Sequence, residues 1–148
     1  MCGIAGLIST EPQARLGAML NSIEHRGRDD EGVWSSAEIN EQKQRVGFGH
    51  RRLSIIDTSS AGHQPMFSAD GRLVVIFNGE LYNYREVRQD LISRGHQFRT
   101  QSDTEVLLEA WAEWKEGCLQ RLNGMFAFAL WDDQERQLFL VRDRVGIK

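Results

Sequence analysis

The 148-residue sequence has little proline, little cysteine and no long apolar or low-complexity segment. Two prolines and a 41% share of hydrophobic residues argue against a disordered chain. No stretch approaches the roughly 20 apolar residues of a membrane span, and no signal peptide is recognisable. The 18 basic and 21 acidic residues are interspersed, so we expect neither nucleic acid nor membrane as a partner.

The two cysteines, Cys2 and Cys118, do not form a disulfide framework. We therefore expect a reducing, cytoplasmic location. Cys118 lies among apolar residues at the end of a predicted helix, and we interpret it as an inert core thiol. None of the four histidines has the spacing of a metal ligand, so we expect no metal site. All four are interpreted as structural or loop residues: His25, His50, His63 and His96.

Apolar periodicity predicts strands and helices in one domain spanning residues 1–148. Helical spacing predicts helices over 12–24 and 84–94, and a Ser-x-x-Glu capping box (Ser102 to Glu105) predicts the start of a third. Apolar runs predict strands over 4–8, 33–39, 46–56, 73–77, 125–131 and 138–141, with a hairpin turn at 132–135. This order favours sheets covered by helices over alternating βαβ units.

Cys2 follows the initiator methionine, and removal of Met1 would leave it with a free α-amine. Such an amine has an unperturbed pKa near 8, so at cytoplasmic pH it is partly neutral and can act as a base. A thiol needs a base because the thiolate is the reactive species. One residue would then supply both nucleophile and base. A cysteine can occur at position 2 by chance, so the other motifs decide whether Cys2 is interpreted as a nucleophile.

Those motifs follow one another over essentially the whole chain. They are residues 1–6, 25–27, 49–57, 78–83, 102–105 and 142–148. Together they resemble the class II glutamine amidotransferases, which are N-terminal nucleophile hydrolases. The segments at 51–54 and 78–83 are similar to the asparagine synthetase (glutamine-hydrolysing) type rather than to glucosamine-6-phosphate synthases. The resemblance implies an α+β fold, a four-layer αββα sandwich of two antiparallel sheets between helices.

The resemblance implies a catalytic role for three residues. Cys2 would attack the glutamine amide, while the Asn78 side-chain amide and the Gly79 backbone N–H would stabilise the oxyanion. A buried strand that ends in Asn-Gly presents both donors at a sheet edge. The plainer interpretation of Asn78 and Gly79 is a turn.

The resemblance also implies a substrate clamp. Arg52 would bind the α-carboxylate of glutamine, whereas neighbouring Arg51 is interpreted as a solvated surface residue. Asp103, assisted by Glu80, would bind the α-ammonium; Asp103 also suits the first turn of a helix. Three further residues would border the substrate: Leu53, Ile55 and Ile56.

Two positions depart from the family pattern. Arg28 stands where many relatives have proline, which affects the stiffness of that loop. Gln101 stands where asparagine synthetases commonly have glycine. A glycine there with positive φ, or with a substrate close by, would leave no room for a glutamine side chain and would affect the placement of Asp103.

The implied function is hydrolysis of L-glutamine to glutamate and ammonia. We expect no cofactor in this domain; ATP and Mg²⁺ belong to a downstream synthetase domain, whose pyrophosphate loop this sequence lacks. The sequence stops at residues 145–148 without a polar tail, so we expect a cut there and an incomplete domain. The sequence does not decide which molecule accepts the ammonia or whether the protein forms a homodimer. The alternatives are a non-catalytic binding module that keeps the fold and the glutaminase domain of a sugar-aminating enzyme.

Overall fold

A computed structural model describes residues 2–54 and 60–148. The helices are α1 (Pro12–Ser22), α2 (Tyr84–Ser93) and α3 (Asp103–Trp114). The strands are β1 (Gly3–Ser9), β2 (Asp30–Ser35), β3 (Arg45–Arg52), β4 (Met66–Phe67), β5 (Leu73–Leu81), β6 (Gly124–Asp132) and β7 (Gln137–Arg142). Short 3-10 turns occur at Glu24–Arg26, Ser60–Gly62 and Lys115–Gln120.

The strands form two antiparallel sheets that face each other. Sheet 1 has the order β1-β3-β2, and sheet 2 has the order β4-β5-β6-β7. Helix α1 packs on sheet 1, α3 packs on sheet 2 with α2 beside it, and β1 and β3 contact β5 across the interior. The layers therefore run helix, sheet, sheet, helices, which confirms the predicted α+β sandwich.

The alternation of side chains along β3 explains its glycines. Val46 and Phe48 point towards sheet 2 and pack against its residues. Gly47 and Gly49 point the other way, beneath α1. A Cβ at Gly47 would lie 2.5 Å from the Cβ of Pro12, and one at Gly49 would lie 3.1 Å from Leu20. The glycines thus let the helix approach the strand closely, as glycine within a predicted strand indicates.

The larger hydrophobic core lies between sheet 2 and helices α2 and α3. Trp111 of α3 packs edge-on against Phe128, with ring centroids 5.9 Å apart, and against Phe139 at 4.8 Å. Cys118 is fully buried in this core, and burial raises the pKa of its thiol to about 12. Cys118 is therefore the inert core thiol that the sequence predicted.

Three predicted strands differ from the structure by more than one residue at an end, and hydrogen bonds explain the ends of two of them. Strand β2 occupies 30–35 rather than 33–39. At Ser36 the N–H still donates to the Val46 carbonyl at 2.8 Å, but the side-chain hydroxyl replaces the Ser36 carbonyl as the acceptor of the Val46 N–H, at 3.0 Å. Strand β3 ends at Arg52, after which the Ser54 N–H donates to Asp29 at 2.8 Å; predicted strand residues 55 and 56 lie outside the described residues. Strand β5 continues through Asn78 and Gly79 to Leu81.

The predicted capping box of α3 is half right. The Ser102 hydroxyl accepts from the Thr104 N–H at 3.1 Å, as an N-cap residue does. Glu105 reaches further back than Ser102. Its carboxylate accepts from the Arg99 N–H at 2.9 Å and the Thr100 N–H at 2.7 Å. The start of α3 is thus tied to the loop that precedes it.

Candidate active site

Cys2 lies at the open end of the sandwich, one residue before β1. Gly3 pairs with Arg51 in the ladder, so the antiparallel register brings Cys2 next to Arg52. The Cys2 Sγ atom is 3.4 Å from the Leu53 N–H that donates to it, and 3.6 Å from the Leu53 carbonyl oxygen. The Arg26 Nε donates to the Cys2 carbonyl at 3.3 Å. The main chain around the thiol is therefore held on both sides.

Strand alternation separates the two neighbouring arginines. Arg51 points towards α1, where its guanidinium donates to the Leu20 carbonyl at 3.2 Å and pairs with Glu31 at 2.6 Å. The interpretation of Arg51 as a solvated surface residue is therefore wrong. Arg52 points the opposite way, into the space between the sheets, and is buried with 7% of its surface exposed.

One cavity at this end of the sandwich brings together every predicted site residue that the structure describes. They are Cys2, Arg52, Leu53, Asn78, Gly79, Glu80 and Asp103. The predicted residues Ile55 and Ile56 lie outside the described residues. Several other lining residues had no role in the site predicted from the sequence. These are Ser54, Gly62, Gln64, Phe77, Ser102, Thr104, Met125 and Lys148.

The free edge of β5 forms one wall of this cavity. In an antiparallel pair, the N–H groups of alternate residues point to opposite edges of the strand. The Phe77 N–H points away from β6 and donates to the Gln64 Oε1 at 2.7 Å. The Leu81 N–H points the same way and donates to the Asp103 Oδ2 at 3.0 Å. The Gly79 N–H lies between these two on the same edge and therefore faces the cavity.

Side-chain alternation directs Asn78 to the same place. Val74 and Ile76, which precede it on β5, pack in the core between the sheets. Asn78 and Glu80 continue this face and line the cavity beyond that core. The Asn-Gly pair therefore lies within a strand, so both the turn interpretation and the expected strand end are wrong. An amide donor and a backbone donor nevertheless occupy adjacent positions, as the oxyanion role requires.

Gly79 has no space for a side chain. A Cβ at this position would lie 2.3 Å from the Met125 carbonyl oxygen and 2.7 Å from the Cα of Phe126. Both contacts are with the backbone of β6, which cannot move aside as a flexible side chain can. The register of β5 on β6 therefore depends on glycine here.

Asp103 is the first residue of α3, and its side chain is buried. Burial raises the pKa of its carboxyl to about 6, although the Leu81 N–H stabilises the charged form; the nearby negative charge of Glu80 raises the pKa further. A buried carboxylate at a cavity wall is suited to a cationic ligand group, which would restore the lost solvation.

Gln101, the departure from the family pattern, does not intrude on this site. It is exposed and does not belong to the cavity lining. Among residues 2–54 and 60–148, the non-glycine residues with positive φ are Lys43, Lys115 and Arg136. Gln101 thus shows neither the strain nor the crowding that a lost glycine would cause.

His50 is a structural residue, as the sequence predicted. It is buried between the sheets, and its Nε2 lies 3.2 Å from the Phe77 carbonyl oxygen, which can only accept. Burial lowers the pKa of the imidazole to about 4, so the ring is neutral at pH 7 and Nε2 is its donor. Within the described ranges no three His, Cys, Asp or Glu side chains are grouped as metal ligands, and no helix could cross a bilayer.

Comparison with solved structures first identifies the fold. The glutamine phosphoribosylpyrophosphate amidotransferase from Bacillus subtilis, in complex with ADP and GMP, superimposes with a TM-score of 0.74. The match covers 99% of this chain and 38% of that one, at 22% sequence identity. At this identity the likeness establishes a shared architecture only.

Sequence comparison then identifies the family. The family described as glutamine amidotransferase domain matches residues 1–148. Asparagine synthetase [glutamine-hydrolyzing] 3 of Bacillus subtilis is 42% identical over an alignment of 156 positions, which covers 100% of this chain and 24% of the relative. A putative asparagine synthetase [glutamine-hydrolyzing] of Mycobacterium tuberculosis is 41% identical, covering 99% of this chain and 23% of the relative. The chain therefore belongs to the glutamine amidotransferase domain family, and it spans about a quarter of these relatives' length.

Proposed function

We propose that this chain hydrolyses L-glutamine to glutamate and ammonia through a thioester on Cys2. The observation that carries the proposal is the single cavity in which Cys2, the Asn78 and Gly79 donors, Arg52 and Asp103 meet. Each is a group that hydrolysis of a free amino acid's side-chain amide requires. Membership of the glutamine amidotransferase family supports the same reaction.

The proposed reaction begins with excision of Met1. The α-amine of Cys2 takes the proton of the thiol, and the thiolate attacks the carboxamide carbon of glutamine. The Asn78 side-chain amide and the Gly79 N–H receive the resulting oxyanion. The amine returns its proton to the leaving nitrogen, the C–N bond breaks and ammonia departs. Water, deprotonated by the same amine, then attacks the thioester, which releases glutamate and restores the thiol.

The other end of glutamine is proposed to select the substrate. Arg52 binds the α-carboxylate, and Asp103 binds the α-ammonium with the help of Glu80. A glutamine within a peptide has neither charge, so both buried groups would lose their partners. Leu53 borders the substrate, and the same role is proposed for Ile55 and Ile56.

The ammonia is proposed to pass to a synthetase domain of the same full-length protein. That domain would use ATP and Mg²⁺ to activate a carboxylate acceptor, aspartate or another, whereas the glutaminase domain (residues 1–148) needs no cofactor. What supports the two-domain arrangement is that the relatives are about four times as long as this chain. A cytoplasmic location suits the free thiols Cys2 and Cys118.

The test is the intact mass of the protein before and after exposure to a glutamine analogue with an electrophilic ketone in place of the carboxamide. We expect loss of Met1 and one adduct on Cys2, with Cys118 unlabelled because its thiol is buried. Excess glutamine should slow the labelling. A retained Met1, or a processed chain without adduct, would instead favour the non-catalytic module.

Substitution of each cysteine gives a matched pair. Cys2→Ala should abolish glutamine hydrolysis by about 10³-fold or more without loss of stability, because the half-exposed thiol contributes little to packing. Cys118→Ala should retain hydrolysis but lower the free energy of unfolding by about 1–2 kcal/mol, because it leaves a small cavity in the core. Ammonia release and urea unfolding measure the two effects; hydrolysis by Cys2→Ala at the wild-type rate would contradict the mechanism.

A further inference from the structure

Gln64 lies outside every motif that the sequence singled out, yet its side chain is buried at the cavity wall. Its Oε1 accepts from the Phe77 N–H at 2.7 Å, and its Nε2 donates to the Thr104 hydroxyl at 3.2 Å. The two partners fix the orientation of the amide, because only an oxygen can accept from Phe77. One side chain therefore connects strand β5 to the start of helix α3.

The main chain of Gln64 is itself held against sheet 1. A Cβ at Gly32 of β2 would lie 2.0 Å from the Gln64 carbonyl oxygen, so the absence of a side chain at Gly32 permits the contact. The adjacent His63 Nδ1 lies 2.7 Å from the Asp30 Oδ2 of the same strand. The main chain at Gln64 is therefore fixed against β2, so its side chain extends to β5 and α3 from a defined position.

On β5, the contact with Gln64 is made two residues before Gly79. The Phe77 peptide groups are held on both sides, the N–H by Gln64 and the C=O by the His50 Nε2. In the part of the chain that the structure describes, this edge of β5 has no neighbouring strand beyond β4, since β4 pairs only with Val74 and Val75. These two side chains therefore replace the missing strand and determine the direction in which the following N–H of the edge, that of Gly79, points.

On α3, the contact with Gln64 is made one residue after Asp103. Thr104 is 2% exposed, so its hydroxyl has little solvent available as an alternative partner. Asp103 in turn accepts from the Leu81 N–H, two residues beyond Gly79. Gln64 and Asp103 thus connect β5 to α3 on either side of the Gly79 N–H.

We propose that Gln64 is a positioning residue, which fixes the Gly79 N–H and the start of α3 at the separation that bound glutamine requires. The proposal rests on the proposed glutaminase function. In that reaction the oxyanion forms at one end of glutamine while Asp103 holds the other, so the separation between β5 and α3 determines whether both contacts are made at once. Gln64 itself does not touch the reacting atoms.

The variants Gln64→Met and Thr104→Val test this role. Methionine has nearly the shape of glutamine without its polar ends, and valine has the shape of threonine without the hydroxyl. We expect Gln64→Met to lower kcat by about 10- to 100-fold, since a misplacement of 1 Å in an active site has an effect of this size. The KM for glutamine should change by less than about threefold, because Asp103 keeps its own contact with the Leu81 N–H and the oxyanion exists only in the transition state.

Thr104→Val should lower kcat less, by about three- to tenfold, because Gln64 keeps its contact with Phe77. The double variant should have the same kcat as Gln64→Met alone, since both substitutions remove the same bridge. A further readout separates positioning from general damage. Labelling of Cys2 by the ketone analogue, which forms an oxyanion, should slow with kcat, whereas alkylation by iodoacetamide, which forms none, should keep its wild-type rate.

Val87→Ala is the matched control, because Val87 is a buried residue of α2 away from the cavity. It should lower Tm as much as Gln64→Met does, while kcat and both labelling rates stay at wild-type values. An unchanged kcat in Gln64→Met, or parallel slowing by both reagents, would overturn the positioning role. If Gln64→Met does not fold, Thr104→Val decides by the same criteria. A wild-type protein without glutaminase activity would refute the proposed function itself, which is a distinct result.

Discussion

At the scale of single residues, the proposed role of Asp103 places two conflicting requirements on its carboxyl group. Its carboxyl must be charged to bind an ammonium group, but burial raises its pKa to about 6. Below that pH the free protein holds a neutral carboxyl, which must lose its proton before glutamine can bind. The affinity for glutamine should therefore fall about tenfold for each pH unit below 6.

Binding to the Cys2→Ala variant measures this effect without catalysis. Calorimetric titration of glutamine between pH 4.5 and 8 should show a constant Kd above about pH 7 and a progressive loss of affinity below 6. Asp103→Asn in the same background should bind more weakly at pH 7 and show no such loss. A Kd independent of pH in the Cys2→Ala protein would remove Asp103 from the ammonium site.

The close contact of Gly79 with β6 predicts that a side chain at this position would lower both stability and activity. Gly79→Ala should lower the free energy of unfolding by about 1–3 kcal/mol, the usual cost of overpacking, and should reduce kcat because the oxyanion donor moves with its strand. Gly17→Ala is the control, since a Cβ there meets nothing within 4 Å and lies in α1. It should raise stability by about 0.5–1 kcal/mol and leave kcat unchanged. Equal effects of the two substitutions in urea unfolding would contradict this account.

At the scale of secondary structure, the alternation of β3 assigns different roles to adjacent arginines. Arg52→Ala should raise the KM for glutamine by roughly 30-fold or more, because it removes a charged partner from a buried carboxylate site. Arg51→Ala should leave KM unchanged but lower the free energy of unfolding by about 1–3 kcal/mol, since it loses hydrogen bonds to the end of α1 and to Glu31. Steady-state kinetics and urea unfolding of both variants check the assignment, and a raised KM in Arg51→Ala alone would reverse it.

At the scale of the whole molecule, two buried groups make stability depend on pH in opposite directions. The pKa of Asp103 is raised from 3.8 to about 6. Its contribution to the free energy of unfolding is therefore greatest below pH 4 and is lost as pH rises through 6. The pKa of His50 is lowered from 6.5 to about 4, so its contribution is present above pH 6.5 and is lost as pH falls through 4. At 1.36 kcal/mol per pKa unit, each is on the order of 3 kcal/mol.

The two contributions should nearly cancel between pH 4 and 6.5 in the wild-type protein. Asp103→Asn removes one of them, so its free energy of unfolding should exceed that of the wild type above pH 6 and fall as the pH is lowered to 4. The charged and titratable neighbours of these groups are Glu80 beside Asp103, and Asp30, Arg52 and His63 around His50. Urea unfolding at several pH values is the measurement; parallel curves for the two proteins would show that Asp103 does not carry this dependence.

The sequence by itself determined the layered α+β fold and the positions of its helices, and it predicted the residues of the candidate site. Apolar periodicity is a local property, so the starts of α1 and α2 and the Ser102 cap were predictable from neighbouring residues. Cys2, Arg52, Asn78, Gly79 and Asp103 could be selected because their motifs occur in the order of a known family. That selection needed no knowledge of which residues face each other.

Only the tertiary structure decided how these residues meet. It showed that Asn78 and Gly79 lie inside a strand whose free edge is bound by Gln64 and Asp103, which are distant in sequence. It also gave Arg51 partners on α1 and β2, and it buried His50 against β5. The physical reason is that hydrogen bonds between segments depend on register and packing, and a residue such as Gln64, in a polar turn without periodicity, carries no local signal of its partners.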